Sequence, residues 1–344
     1  GKGNYVQAEW RVCDKVMSKG IGAVLVKLPP PKSAAATVSE PRIAISTDDV
    51  AAHAGVATDA AASVTLKYDD GSTKNVTLDK RTQWDDATLD PNDLFTVKLT
   101  KNAKGDVQSV RVVPTGKAAG KATLRITFTH APTVVASVEV NVVKHDKFTL
   151  DAHPLPTYAG SESVSKTTLK KLGKTTTWQR ARLDLDTVLS DGHTIDLSTH
   201  QKTGFAAYAT GTTKVTGAVF SFQNQRDVSV VAAGKADVRA TFAGVLTPAL
   251  PMSAVDEPVL VKSLKTTFPA TFSGIQNKGA AQMKVSATFV DGTTVADALS
   301  ITGLLSFSSS HPKVASIHAT TGLAMLHDNH RTQVTMTAKA IASG

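Results

Sequence analysis

The sequence predicts an all-β chain of tandem two-sheet sandwiches forming an elongated rod, and three observations support this. Thr, Val, Ala and Ser dominate while charged residues make up only 19%, a composition that suits pleated, half-buried surfaces. Convincing helical periodicity is lacking: residues 49–62 (DVAAHAGVATDAAA) have helical composition, but Gly55 interrupts them. The third observation is a hairpin pattern that recurs three times.

The recurring segments are SVTLKYDDGSTKNVTL (63–78), ARLDLDTVLSDGHTIDL (181–197) and MKVSATFVDGTTVADAL (283–299). In each, an apolar/polar alternation meets Asp-Gly and then resumes. Asp-Gly between alternating runs is a strong hairpin signal, since a two-residue primed turn needs positive φ. Gly71, Gly192 and Gly292 are separated by 121 and 100 residues, one immunoglobulin-like domain per step. An aromatic follows each turn glycine, at Trp84, Phe205 and Phe307, and is expected to plug the core from the next strand. Gly-Lys-Ala then leads into an alternating strand in the first two copies (GKATLRITF and GKADVRATF). The third substitutes polar residues in HDNHRTQVTMTA.

Upstream, each copy is expected to open with a short extended run: PRIAIS, KFTLDA and VKSLKTTF. This divides the chain into modules at 36–145, 146–256 and 257–344, with residues 1–31 ending a preceding β domain. The middle module carries an insertion in YAGSESVSKTTLKKLGKTTTWQ, expected as a long loop or extra hairpin. LPPPKSAAATVSEP (28–41) reads as a Pro/Ala-rich linker and LTPALPMSAVDEP (246–258) as an extended connector, while VVKHDKF joins the first two modules with little slack. The chain opens mid-pattern with GKGNYVQAEWRV and stops at AIASG, so it reads as a piece of something longer.

Within the third module, FSSSHPKVASIHATTGLAML (307–326) resembles the bacterial Ig-like domain, group 2. The likeness rests on an aromatic, a Ser-rich corner closed by Pro312, Val314-Ala315 and a Thr-Gly turn at 321–322. Val314 and Ile317 are expected to dip into the core. Tandem divergent modules after a Trp-containing β fragment also look like the ectodomain of the transmembrane protein 132 family, most of all in FPATFSGIQNKGAAQMKVSATFVDGT (268–293). That resemblance would imply a single-pass cell-surface adhesion protein whose cohesin-like domain ends within residues 1–31.

Chemical motifs are sparse. Asp85, Asp86, Asp90, Asn92 and Asp93 gather oxygen ligands in QWDDATLDPNDLF, the set a calcium ion would use, though the spacing matches no EF-hand and Asp-Pro-Asn-Asp is an ordinary turn sequence. His327 and His330 flank a turn and need not converge on a metal. Cys13 is the only cysteine, so no disulfide forms within the chain, and burial as a small apolar residue is expected. No nucleophile elbow, phosphate loop or dinucleotide fingerprint is present, which argues against an enzyme and against a cofactor. Net charge is +9 and spread along the chain. Its densest cluster, Lys170, Lys171, Lys174 and Arg180 around Trp178, would suit an acidic glycan better than nucleic acid. Asn75-Val76-Thr77 is an N-glycosylation acceptor sequence.

The expectation is a non-catalytic extracellular or cell-surface protein of adhesion or scaffold type, contacting protein partners or its own copies through loops and sheet edges. Alternatives are a subunit of an extracellular filament, appendage or virion surface, and a carbohydrate-binding accessory. Any membrane anchor would lie outside these residues, because no run reaches the roughly 18 apolar residues needed to span a bilayer.

Overall fold

The computed structural model describes residues 5–12, 14–23, 29–85, 93–209, 219–269, 271, 280–328 and 333–341. The chain divides into two compact units, Gly1–Lys144 and His145–Gly344.

In the first unit, the strands Tyr5–Val12 and Lys15–Ala23 form an antiparallel hairpin. The rest is a sandwich. One sheet runs Pro31–Val38, Ala60–Tyr68, Val107–Pro114, Phe95–Lys101; the facing sheet runs Arg42–Ala44, Ala136–Val143, Gly120–Phe128, Thr82–Asp85. All pairings are antiparallel except Arg42–Ala44 beside Ala136–Val143. This is the strand order of an immunoglobulin-like sandwich with its first strand split between the sheets. Val64, Leu66, Val110, Val112, Leu124, Ile126, Val140 and Val142 alternate inward from both sheets and form the core, as period-2 strands with one buried face must.

The second unit repeats that order in its first sandwich. His145–Leu155, Arg180–Leu189, Asp227–Val230 and Phe220–Gln223 form one sheet, and Thr168–Leu172, Leu250–Val259, Gly234–Phe242 and Thr203–Tyr208 the other. In its second sandwich Val261–Thr267 pairs with Lys284–Phe289, Ala280–Gln282 continues to Leu323–Leu326 and Ala315–Ile317, and Leu305–Ser309 pairs with Met336–Ala340. Among the described residues the only α-helix is Val50–His53, one turn capped by the Asp49 carboxylate on the Ala51 amide.

The three Asp-Gly corners are equivalent atom by atom. The amide of Gly71, Gly192 and Gly292 donates to the carbonyl of Tyr68, Leu189 and Phe289, and those three residues donate back to Ser72, His193 and Thr293. The Asp side chain before each glycine accepts the amide after it. Only the glycines have positive φ, at 85°, 83° and 87°. This corrects the expected two-residue primed turn, which needs positive φ at both central residues. The loops have three residues, a type I turn closed by a glycine bulge.

The linker and connector assignments also change. PKSAAATV is the first strand of the first sandwich, with Pro31–Val38 laddered to Ala60–Tyr68. PRIAIS instead supplies the short parallel strand Arg42–Ala44. The true counterparts are Pro31, His145 and Val261, each opposite the residue that starts the turn and each followed by the same one-residue bulge. Proline is tolerated there because the strand is a sheet edge. Leu250–Val259, read as a connector, is the last strand of the second sandwich. Of the insertion, Thr168–Leu172 is a strand parallel to Leu250–Val259 that turns back through an antiparallel bridge between Lys171 and Trp178, the extra hairpin of the two expected forms, and Ser161–Ser163 is a 3-10 turn.

Candidate functional site: a bonded joint in the second unit

The segment from Tyr158 to Gln179 contains the strand Thr168–Leu172 of the second sandwich and also packs on the third. Its anchor is Leu172, 4% exposed, which belongs to the apolar core of the third sandwich together with Val259, Val285, Phe289, Leu304 and Phe307. Gly173 follows at φ 61° and donates its amide to Val259 O at 2.9 Å. A Cβ at Gly173 would sit 3.1 Å from Leu304 Cδ1, so the backbone approaches the third sandwich more closely than a side chain would comfortably allow. Burying Leu172 alone contributes about 1.5–3 kcal/mol.

Polar groups lock the same contact. Asp291, in the third Asp-Gly corner, accepts from Lys166 Nζ at 2.6 Å and Gln179 Nε2 at 2.8 Å on Oδ2, and from its own Thr293 amide at 3.1 Å on Oδ1. Gln179 is 2% exposed and its side chain makes three hydrogen bonds: Nε2 also donates to Thr293 Oγ1 at 2.9 Å, and Oε1 accepts from the Lys170 amide at 3.1 Å. Burial pushes the Asp291 carboxyl up, but the bonds from Lys166, Gln179 and Thr293 outweigh it and hold its pKa at about 2. The Tyr158 hydroxyl lies beside Gly292. Corners that look alike in sequence therefore do different work. Asp70, in the first corner, bonds only within its turn, to the amide and hydroxyl of Ser72.

The sequence singled out the basic cluster of this segment but not the joint. Lys170 Nζ pairs with Glu257 at 2.9 Å and Lys171 Nζ with Asp256 at 2.6 Å. The Lys171 ammonium also stands 5.3 Å from the Trp178 ring centre. Trp178 is half-buried against the core of the second sandwich, and Lys174 is exposed. Arg180 Nη2 donates to Gln223 Oε1 at 3.1 Å and lies 3.8 Å from the buried Asp227. Lys166, Gln179 and Asp291 carry no local signature, since the partners are more than a hundred residues apart.

Other sequence candidates are placed as follows. Asp85 ends a strand paired to Arg125, Asp93 takes positive φ and pairs with Lys117, and Asp86, Asp90 and Asn92 lie outside the described residues. Among the described residues no group of three or more His, Cys, Asp or Glu side chains could hold a metal. Asn75 is exposed, but its Oδ1 accepts the Thr77 amide at 3.0 Å, and the buried Thr77 hydroxyl accepts the Val64 amide at 2.8 Å. Asp196, Ser198 and Leu185 repeat this motif in the second sandwich, so the triplet has a structural role independent of any glycan. His327 Nε2 meets Ser316 Oγ at 2.7 Å, whereas Cys13 and His330 lie outside the described residues. Trp84 and Phe205 are half-buried against their cores, and Phe307 is 6% exposed. In the motif at 307–326, Ala324 is fully buried and Ala315 3% exposed, Ile317 is half-buried on the core, and Val314, expected to dip into the core, is half-buried outside that cluster. Among the described residues, no helix is long and apolar enough to cross a membrane.

No protein-family model matches the chain, and no curated protein does. Among solved structures, invasin, a bacterial integrin-binding protein, matches at 16% identity over 95% of this chain and 60% of its own, with a TM-score of 0.29. The Escherichia coli adhesin FdeC matches at 13% identity over 92% of this chain and 95% of its own, TM-score 0.29. Domains 1–6 of the surface layer protein SbsC match at 15% over 98% and 43%, TM-score 0.26. The chain thus spans less than two thirds of the SbsC and invasin structures. Its own strand order establishes the fold class: an all-β chain of tandem immunoglobulin-like β-sandwiches.

Proposed function

We propose that this chain works without catalysis, as the immunoglobulin-like part of an extracellular adhesion or scaffold protein that meets its partners through loops and sheet edges. The joint is the observation that supports this reading. An enzyme invests its titratable groups in a convergent cleft. Here a carboxylate, an amide and an ammonium largely withdrawn from solvent (Asp291, Gln179 and Lys166) bond one sandwich to the next, which fixes orientation and transmits load. A single-pass surface protein of the transmembrane protein 132 type would suit such a string, and a downstream apolar run of about 20 residues in the parent gene would support that parentage. The functional test is attachment of chain-coated beads to cell monolayers and matrix proteins. Attachment above uncoated beads supports the proposal; none on any surface overturns it.

A further inference from the structure

The two sandwiches with identical strand order can be compared position by position, and one region differs. In the second, Phe242 is fully buried under a cluster of rings. His200 lies 5.1 Å from it and Phe148 6.4 Å, with the His145 ring tilted against Phe148 at 4.2 Å, centre to centre. The ladders assign the counterparts in the first sandwich. Phe128 stands opposite Thr82 as Phe242 stands opposite Thr203. Pro31 takes the place of His145, Ala34 that of Phe148, and Asp79 that of His200.

Three rings are thus replaced by a proline, an alanine and an aspartate, and that proline and aspartate line a cleft of about 670 Å³ beside Phe128. Its floor is apolar, from Pro31, Leu66, Val76 and Phe128, with the half-buried Tyr68 on one wall. Around the mouth stand Asp70, Lys74, Asp79 and Arg81. Arg81 donates both Nε and Nη2 to the Asp79 carboxylate, at 2.8 and 2.5 Å. Two cations thus face two anions, and the mouth selects for no net charge. An apolar floor with a few polar groups at the rim, in this range of volume, is the usual form of a small-ligand seat.

From this we infer that the cleft at the head of the first sandwich is a receptor for an uncharged aromatic ring, the tyrosine or tryptophan side chain of a protein partner. The sister sandwich fills the same seat with its own rings, on the same phenylalanine, which favours a ring over an aliphatic chain. The balanced mouth favours a neutral ligand over an acidic glycan. The inference is independent of the adhesion and joint arguments, and its failure would leave them untouched.

The test is an amide NMR titration of the ¹⁵N-labelled chain with N-acetyltyrosinamide, with cellobiose and a heparin disaccharide as parallel probes. Saturable shifts around Tyr68, Thr82 and Ala131 are expected from the aromatic probe, with a dissociation constant on the order of a millimolar for so few atoms. Refilling the seat with Ala34→Phe and Asp79→His should weaken binding at least tenfold. If that pair does not fold, Ala131→Trp plugs the mouth instead, with a melting curve as control. The inference is overturned if only a sugar probe shifts these amides, if the aromatic probe produces no shifts there, or if binding survives in the folded refilled or plugged variant.

Discussion

Removal of the Asp291 carboxylate tests the joint most directly. Asp291→Ala deletes three acceptor contacts, at 2.6, 2.8 and 3.1 Å. It also leaves the Lys166 ammonium, 13% exposed, without that carboxylate. Hydrogen bonds to a charged group contribute about 1.5–3 kcal/mol each when fully shielded. The carboxylate is 29% exposed, so solvent screening reduces this sum, and Gln179 keeps its bond to Thr293. The expected cost is about 2 kcal/mol, which for a unit of this size lowers Tm by roughly 4–8 °C. Calorimetry of the full chain should show the loss in the transition of the second unit only. A double-mutant cycle with Lys166→Ala should give a coupling of about 1 kcal/mol. Because the Asp291 carboxyl is held at about 2 against an ordinary 3.8, its contribution is complete above pH 4 and is lost as pH falls from there through 2. Additive single mutants, or an equal effect from Asp70→Ala in the first corner, would refute the joint.

Asp186 should behave in the opposite sense. Burial raises its carboxyl, and Asp196, Asp184 and Asp151 raise it further, so its ionised form burdens the fold at neutral pH. Asp186→Asn should therefore raise Tm at pH 7, with the gain fading as acid protonates the wild-type carboxyl; a lower Tm at pH 7 refutes this. Phe242→Ala should cost about 3–5 kcal/mol, because it empties a fully buried site that rings surround, and urea unfolding measures it. Gly322→Ala should be worse than Gly71→Ala in the same assay. Both glycines have positive φ, but a Cβ at Gly322 would lie 3.0 Å from Phe307 Cζ while Gly71 faces open space. If Lys170, Lys171 and Arg180 do hold an acidic glycan, their substitution should advance elution from a heparin column, and Asp256→Asn with Glu257→Gln should retard it. Unchanged elution in both sets would remove that reading.

The repeat was legible because a hairpin is local. Alternation, an Asp whose side chain caps its own turn and a glycine that alone tolerates positive φ fall within five residues at 68–72, 189–193 and 289–293. The first strand was misplaced for an equally physical reason. PKSAAATV has linker composition, and only its ladder to Ala60–Tyr68 makes it a strand. The turn type was misread because Asp-Gly suits both a primed turn and a glycine bulge, and the backbone of the flanking strands decides between them.

Taken alone, the sequence determined the β class, the number of hairpin corners and their spacing, since these follow from side-chain periodicity and the backbone freedom of single residues. Tertiary structure decided what each corner does. Asp70 and Asp291 read alike, yet only Asp291 meets a lysine and a glutamine carried more than a hundred residues away. It also decided that a cleft lies beside Phe128 where the second sandwich packs rings against Phe242. Partners brought together by folding leave no pattern in the order of residues, because distance along the chain says nothing about distance across a joint.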